Sequence, residues 1–175
     1  SRLHPRPAAV PSASKRICEV SMKKLVLLLF PLLALAAGAF SWTLSGNGLE
    51  TVYPLLALSP LTPPSAVFPV VWIILYLLMG LGLALVVRKG GPGTSLAVVI
   101  WVLQLAVNVI WSPLFFGRGD YLAALLCLGV LWLLILLMLF AFHSVSRAAA
   151  WLQIPYFLWV SFAGYLNYTV WALNR

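Results

Sequence analysis

The sequence predicts an all-α integral membrane protein, a bundle of five transmembrane helices, and three observations carry that prediction. Of 175 residues, 63% are hydrophobic and 8% are charged, against roughly 45–50% and 25% in a soluble domain. Mean hydropathy is +1.06. Five separate runs stay apolar for about 20 residues, the length that crosses a ~30 Å hydrocarbon core. Such a chain lacks the polar residues to cover a water-facing surface. That excludes a soluble enzyme, a disordered chain and a disulfide-stapled secreted module. Helices follow because lipid offers backbone groups no partners. Runs such as residues 133–140 are continuously apolar and do not alternate as barrel strands must.

Residues 1–21 carry Pro, Ser and Arg without periodicity and are expected to be a disordered leader or an upstream-translation remnant outside the fold. Met22-Lys23-Lys24 opens the first apolar run, 24–44, for which two readings compete. The lysines, the apolar stretch and Ala37-Gly38-Ala39 resemble a signal peptide with its cleavage site. Continuation through Phe40 and Trp42 to Leu44 favours an uncleaved span. The remaining runs are 65–87, 94–114, 121–142 and 149–172, so 22–175 reads as one membrane domain. Short links at Gly90-Gly91-Pro92-Gly93, Gly117-Arg118-Gly119-Asp120 and residues 143–148 imply an up-and-down bundle. The stretch 45–64 is the exception, a length that is usually functional or disordered. Its Tyr53 and several leucines predict a folded lid rather than a tether.

Orientation follows by counting cations. With five spans, Arg2, Arg6, Lys15, Arg16, Lys23, Lys24, Arg88, Lys89 and Arg147 share one side, and Arg118 and Arg175 the other. Without the leader the ratio is five to two. In a bacterial cell membrane this puts the N-terminus in the cytoplasm and the long loop outside. The net charge of +8 is therefore topological, and no basic patch interleaved with aromatics points to nucleic acid. Cys18 and Cys127 stand too far apart, in unlike settings, for a disulfide framework or a metal pair.

Conventional catalysis finds few parts. The three acids, Glu19, Glu50 and Asp120, all flank the spans, and His4 and His143 lie in the leader and at a helix end. The Gly90–Gly93 turn lacks the Lys and Ser/Thr of a phosphate loop. No intramembrane acid suggests proton-coupled transport. Aromatic and amide groups remain. Trp101, Gln104, Asn108, Trp111 and Phe115 are spaced 3, 4, 3 and 4 apart and share one face of the third helix. An amide in hydrocarbon needs a partner, so that face either bonds neighbouring helices or lines a cavity, and both readings stand equal. Phe68, Trp72, Tyr76 and Met79 form a stripe on the second span. Trp159, Ala163, Leu166 and Val170 form another on the fifth, beside Asn167. Such stripes are most often core packing, and Trp42 and Trp151 suit an interfacial belt. Large flat groups beside Ala163 and Gly164 nonetheless leave room for a flat apolar ligand.

Three ordered motifs then resemble one family. Thr62-Pro63-Pro64 with Val67-Phe68-Pro69-Val70-Val71-Trp72 and Tyr76 is similar to the loop and second helix of the TspO/translocator protein family, the tryptophan-rich sensory proteins or peripheral benzodiazepine receptors. Gln104-Leu105 with Asn108, Trp111 and Phe115-Phe116 resembles its third-helix motif. Pro155-Tyr156, Trp159, Phe162-Ala163 and Leu166-Asn167-Tyr168 resemble its fifth. The resemblance runs from Met22 to the C-terminus and implies five spans with an uncleaved first helix, a homodimer, and an apolar pocket beneath the long loop. It implies binding of porphyrins such as protoporphyrin IX and haem, as ligands rather than required cofactors, and of benzodiazepine-site drugs. Carried over by position, Tyr53, Trp72, Tyr76, Gln104, Asn108, Trp111, Trp159, Ala163 and Leu166 are the expected pocket residues. An enzyme that degrades porphyrin in light is the alternative the family suggests. Leu61 and Val52 stand where the family has Trp, so lid contacts are expected to differ. The cholesterol pattern beginning at Leu166 and Tyr168 lacks its basic residue at Ala172, and Arg175 lies one position too far.

Overall fold

Apolar runs that must satisfy their own backbone coil into helices, and glycines and prolines decide where each one stops. In the computed structural model, which describes residues 13–175 with side chains from Ser21 onward, the helices are α1 Ala13–Ser45, α2 Gly48–Thr51, α3 Val67–Lys89, α4 Thr94–Ser112, α5 Tyr121–Val145, α6 Arg147–Trp151 and α7 Ile154–Leu173. No strand occurs among the described residues. The helix starting at Ala13 takes in residues 13–21, which were expected to be part of a disordered leader; residues 1–12 lie outside the described residues.

Helix ends follow local chemistry. Gly90, at φ 65°, ends α3 in the left-handed region, where a residue without Cβ carries little penalty. Asp120 caps α5 by accepting a hydrogen bond from the Ala123 amide at 3.0 Å, which satisfies one orphan donor. Pro113 cannot donate, and α4 passes into a widened π-type turn, Pro113–Gly117, in which the Arg118 amide bonds the Pro113 carbonyl at 2.9 Å.

Among the described residues, four helical segments are long and apolar enough to cross a membrane: Ser21–Ser45 within α1, α3, α4 with its π-type turn, and α5. The protein is an integral, multi-pass membrane protein. The expected fifth span, 149–172, differs in two ways. It is broken at Leu152 and Gln153 into α6 and α7, because Pro155 in the first turn of α7 cannot continue the hydrogen-bond ladder from α6. Its Tyr, Trp and Asn residues also make α7 less apolar than the other four segments.

The core lies between α3, α4, α5 and α7, where Met79, Leu131, Ile135, Met138, Phe142 and Tyr156 are fully enclosed. By contrast α1 turns Leu25, Leu28, Leu29, Leu32 and Leu33 outward. It docks by close approach. Gly80 of α3 lies against the backbone of Phe30 and Pro31, where a Cβ would collide. The Gly80-x-x-x-Ala84 pattern, a weak small-residue motif for helix pairing between chains, is thus buried inside this chain, with Ala84 at 0% exposure. Higher on α1, Ser41 Oγ donates to the Val109 carbonyl at 2.9 Å, and the Ser45 and Ser112 hydroxyls meet at 2.7 Å.

Candidate functional site

The stripe on α4 faces inward along its whole length. Trp101, Gln104, Asn108, Trp111 and Phe115 are all buried, Phe115 from within the π-type turn. Their polar atoms form a directional chain across three helices. The Tyr76 hydroxyl of α3 donates to Asn108 Oδ1 at 2.6 Å, and Asn108 Nδ2 donates to the Tyr156 hydroxyl of α7 at 2.7 Å. Tyr156 in turn donates to Gln104 Oε1 at 2.8 Å. Trp111 Nε1 donates to Asn167 Oδ1 at 3.1 Å, and Asn167 Nδ2 reaches the Tyr121 carbonyl at 2.8 Å. Each link between side chains satisfies polar groups held in a low-dielectric interior, where an orphan is costly. The amide face therefore bonds neighbouring helices, as one reading of the sequence required.

It also borders a cleft. Gly38, Ser41 and Trp42 of α1, Phe68, Trp72 and Tyr76 of α3, and Asn108, Trp111 and Phe116 from α4 and its π-type turn enclose about 60 Å³. Gly38 is needed there, since any Cβ would meet the Tyr76 ring. Trp72 is half-buried in this wall. Its ring centroid lies 5.8 Å from Trp111 and 5.7 Å from Tyr76, both at shallow angles. Small-molecule sites typically hold roughly 300–1,000 Å³, so the aromatic side chains here fill most of the space a ligand would need.

Above the cleft, residues 46–66 form a folded lid. Tyr53 leads a 3₁₀ turn, Tyr53–Leu55, and packs on Phe68, Phe115 and Phe116 at 5.7, 6.2 and 5.7 Å between centroids. Burial pushes its phenol up to about 12, so it is neutral at physiological pH. Two latches hold the lid to α7. Asn174 Oδ1 accepts from the Ala57 amide at 2.9 Å while Asn174 Nδ2 donates to the Ala57 carbonyl at 2.9 Å. The Ser59 and Tyr165 hydroxyls meet at 3.1 Å. Gly48 of α2 presses against the Phe116 carbonyl, an approach that excludes a side chain.

The nine expected pocket residues thus fall into groups. Trp72, Tyr76, Asn108 and Trp111 border the cleft, and Tyr53 packs on the rings of its rim. Gln104 is fully enclosed at the end of the hydrogen-bond chain. Trp159 stacks edge-on against Phe68 at 6.0 Å, with its indole Nε1 buried and without a partner among the described residues. Ala163 and Leu166 are buried along α7 at 5% exposure each and are not part of the cleft wall. Tyr156, quoted in the fifth-helix motif, was not among the expected pocket residues, although it lies three residues before Trp159 and seven before Ala163 on the same stripe. Sequence reasoning also missed the contribution of α1, where Gly38 and Ser41 give no pattern to read. Phe116 belonged to a quoted motif, yet only the wider π-type turn brings it to the cleft.

Comparison with known proteins agrees with this architecture. The TspO/MBR family model matches residues 29–172. The tryptophan-rich protein TspO of Chlorobaculum tepidum is 40% identical over 144 residues, covering 81% of this chain and 91% of that protein. The tryptophan-rich protein TspO of Archaeoglobus fulgidus is 31% identical over 156 residues, 89% of this chain and 99% of its own length. The translocator protein of Bos taurus is 36% identical over 126 residues, 70% of this chain and 75% of its own. With its motifs, its membrane-spanning helices and its aromatic cleft in register with that match, the chain belongs to the TspO/MBR family.

Proposed function

We propose that this protein is a membrane receptor or sensor for a flat, largely apolar ligand of the tetrapyrrole class, protoporphyrin IX or haem, with benzodiazepine-site drugs occupying the same place. The observation that carries this reading is the cleft wall of Trp72, Tyr76 and Trp111 with one amide, Asn108, under a latched aromatic lid. Rings on both sides offer stacking surfaces to a planar conjugated ligand, and the amide offers one polar contact for orientation. The unpartnered Trp159 indole N–H supplies a second donor, suited to a carboxylate or carbonyl of the ligand. Because the cleft is nearly filled, entry requires the half-buried Trp72 to rotate or the lid to lift. In this reading α7 completes a fifth span, two copies pair as a homodimer, membrane lipids surround the bundle, and the N-terminus faces the cytoplasm of a bacterial cell.

The test is a titration of the detergent-solubilised protein with protoporphyrin IX, following porphyrin absorbance in darkness and under illumination, beside Trp72→Phe and Trp159→Phe. Saturable binding weakened by both substitutions is expected, with the spectrum stable in light. Loss of absorbance under illumination in the wild type but not in the variants would replace the receptor reading by light-dependent porphyrin degradation. Absence of saturable binding would overturn both.

A further inference from the structure

We propose that the direction of the buried hydrogen bonds selects what the cleft accepts: a flat ligand whose enclosed edge carries an N–H or O–H donor, in preference to one that offers only acceptors. This rests on the reading of the cleft as the ligand site and deepens it. The direction is set at the far end of the chain, where Gln104 Nε2 donates to the Met79 thioether sulfur at 3.7 Å. A thioether only accepts. Met79 therefore fixes which end of the Gln104 amide faces it and turns Gln104 Oε1 to Tyr156, whose hydroxyl must donate. Having given its one proton, Tyr156 can only accept from Asn108 Nδ2, and Asn108 Oδ1 is left to accept from Tyr76. Reversing the chain would leave the Gln104 oxygen, at 0% exposure, facing sulfur without a donor, an orphan in a low-dielectric interior.

The consequence reaches the cleft wall. Its hydroxyls belong to Ser41, Tyr76 and Ser112, and each has its single proton committed elsewhere. Tyr76 donates to Asn108 at 2.6 Å, and Ser41 to the Val109 carbonyl at 2.9 Å. Ser45 gives its proton to the Ser41 carbonyl at 2.8 Å, so in the 2.7 Å contact between Ser45 and Ser112 it is Ser112 that donates. The Trp111 N–H is likewise taken, by Asn167. Indole donors without a bond among the described residues remain at Trp42, which is exposed, and Trp72, which is half-buried. The three hydroxyl oxygens thus keep lone pairs for a ligand and have no proton to give it. A carboxylate or carbonyl set against them meets lone pair with lone pair, whereas an N–H or O–H is received. Sites built to bond a ligand N–H or O–H discriminate strongly against the analogue that lacks it. A tetrapyrrole in this cleft accordingly turns its carboxylates away from the hydroxyl wall.

Carbazole and dibenzofuran are flat probes of the same shape that differ at one edge, an N–H in the first and an ether oxygen in the second. With the full chain in detergent, carbazole is expected to bind about tenfold more tightly, the worth of one hydrogen bond, read from each probe's own fluorescence. Tyr76→Phe should lower that ratio by weakening carbazole alone. Met79→Leu, at a positioning residue outside the cleft wall, frees the Gln104 amide to turn and should lower the ratio as well. In the ligand-free wild type, the infrared C–O stretch of Tyr76, found by difference against Tyr76→Phe, should be that of a phenol that only donates. Carbazole should shift it to that of a phenol that donates and accepts, and dibenzofuran should not. Equal binding of the two probes, binding of neither, a ratio unmoved by both substitutions, or a ligand-free Tyr76 that already accepts would each overturn the proposal. A preference for carbazole without any binding of protoporphyrin IX would instead sink the tetrapyrrole reading and leave this one standing. The probe ratio is measured on unaltered protein, so it decides the question even if a variant fails to fold.

Discussion

Helix α4 with its π-type turn and helix α5 are neighbours of similar length, and both are apolar enough to span a membrane, yet they do opposite work. The enclosed face of α5 is aliphatic or nearly so: Leu128, Leu131, Ile135 and Met138 interlock with the core and bond nothing. The enclosed face of α4 sets two amides, Gln104 and Asn108, between two indoles, Trp101 and Trp111, and is tied to α3 and α7 by hydrogen bonds. Hydropathy places both in the bilayer and separates them poorly. Polar groups held in the interior at a repeated spacing distinguish the helix that builds a site from the helix that supports it, because each buried amide or indole must be satisfied by an arranged partner.

That contrast can be broken from either side. The largest expected effect is on the supporting helix. Ile135→Ala would open a cavity in a fully enclosed position and cost about 2–5 kcal/mol, read as a lower melting temperature in detergent with porphyrin affinity unchanged. A matching fall in affinity would erase the division of labour. On α4, Asn108→Leu deprives Tyr76 of its acceptor and Tyr156 of its donor. Interhelical hydrogen bonds in membranes average about 0.6 kcal/mol and reach about 1.7, so stability should fall by roughly 1–2 kcal/mol. Porphyrin affinity should fall about tenfold if one contact of about 1.4 kcal/mol is lost.

Ala163→Phe sharpens the comparison on α7. The residue is buried outside the cleft wall, and overpacking costs about 1–3 kcal/mol. The ligand-free melting temperature should therefore drop. An unchanged melting temperature with weakened porphyrin binding would instead extend the ligand's space to α7. The smallest effect concerns the lid. Tyr53 ionises near 12 when buried, against 10.0 for a free phenol. A group raised on folding lends stability that is complete below the unfolded value and is lost as pH climbs through the folded one. Ligand dissociation should accelerate between pH 10 and 12, and Tyr53→Phe should remove that pH dependence.

The sequence was readable where chemistry and spacing coincide. The 3-4-3-4 run from Trp101 to Phe115 marks an inner face because helices repeat every 3.6 residues, and every member is indeed buried. Tyr53 and the surrounding leucines signalled a folded segment, and two helical turns followed by Ala57 and Ser59, which bond Asn174 and Tyr165, form it. Legibility failed where a partner contributes by being small. Gly38 and Gly80 matter through atoms they lack, and only the neighbours reveal the need. It failed again at the fifth run, where Pro155 could have marked the break but the long apolar pattern concealed it.

The way α1 is held has a consequence for how this chain tolerates substitution. Its leucines face outward and its seat on α3 depends on Gly80 lying against the Pro31 backbone. Sequence drift at the outward positions of α1 should therefore be nearly free among apolar residues, while the constraints that keep it docked sit at a few inward positions, Ala34, Gly38 and Ser41, and at Gly80 on α3. A saturation library of this protein would show a first span permissive on its outward face and intolerant at Gly38, answered by an intolerant Gly80 in the second.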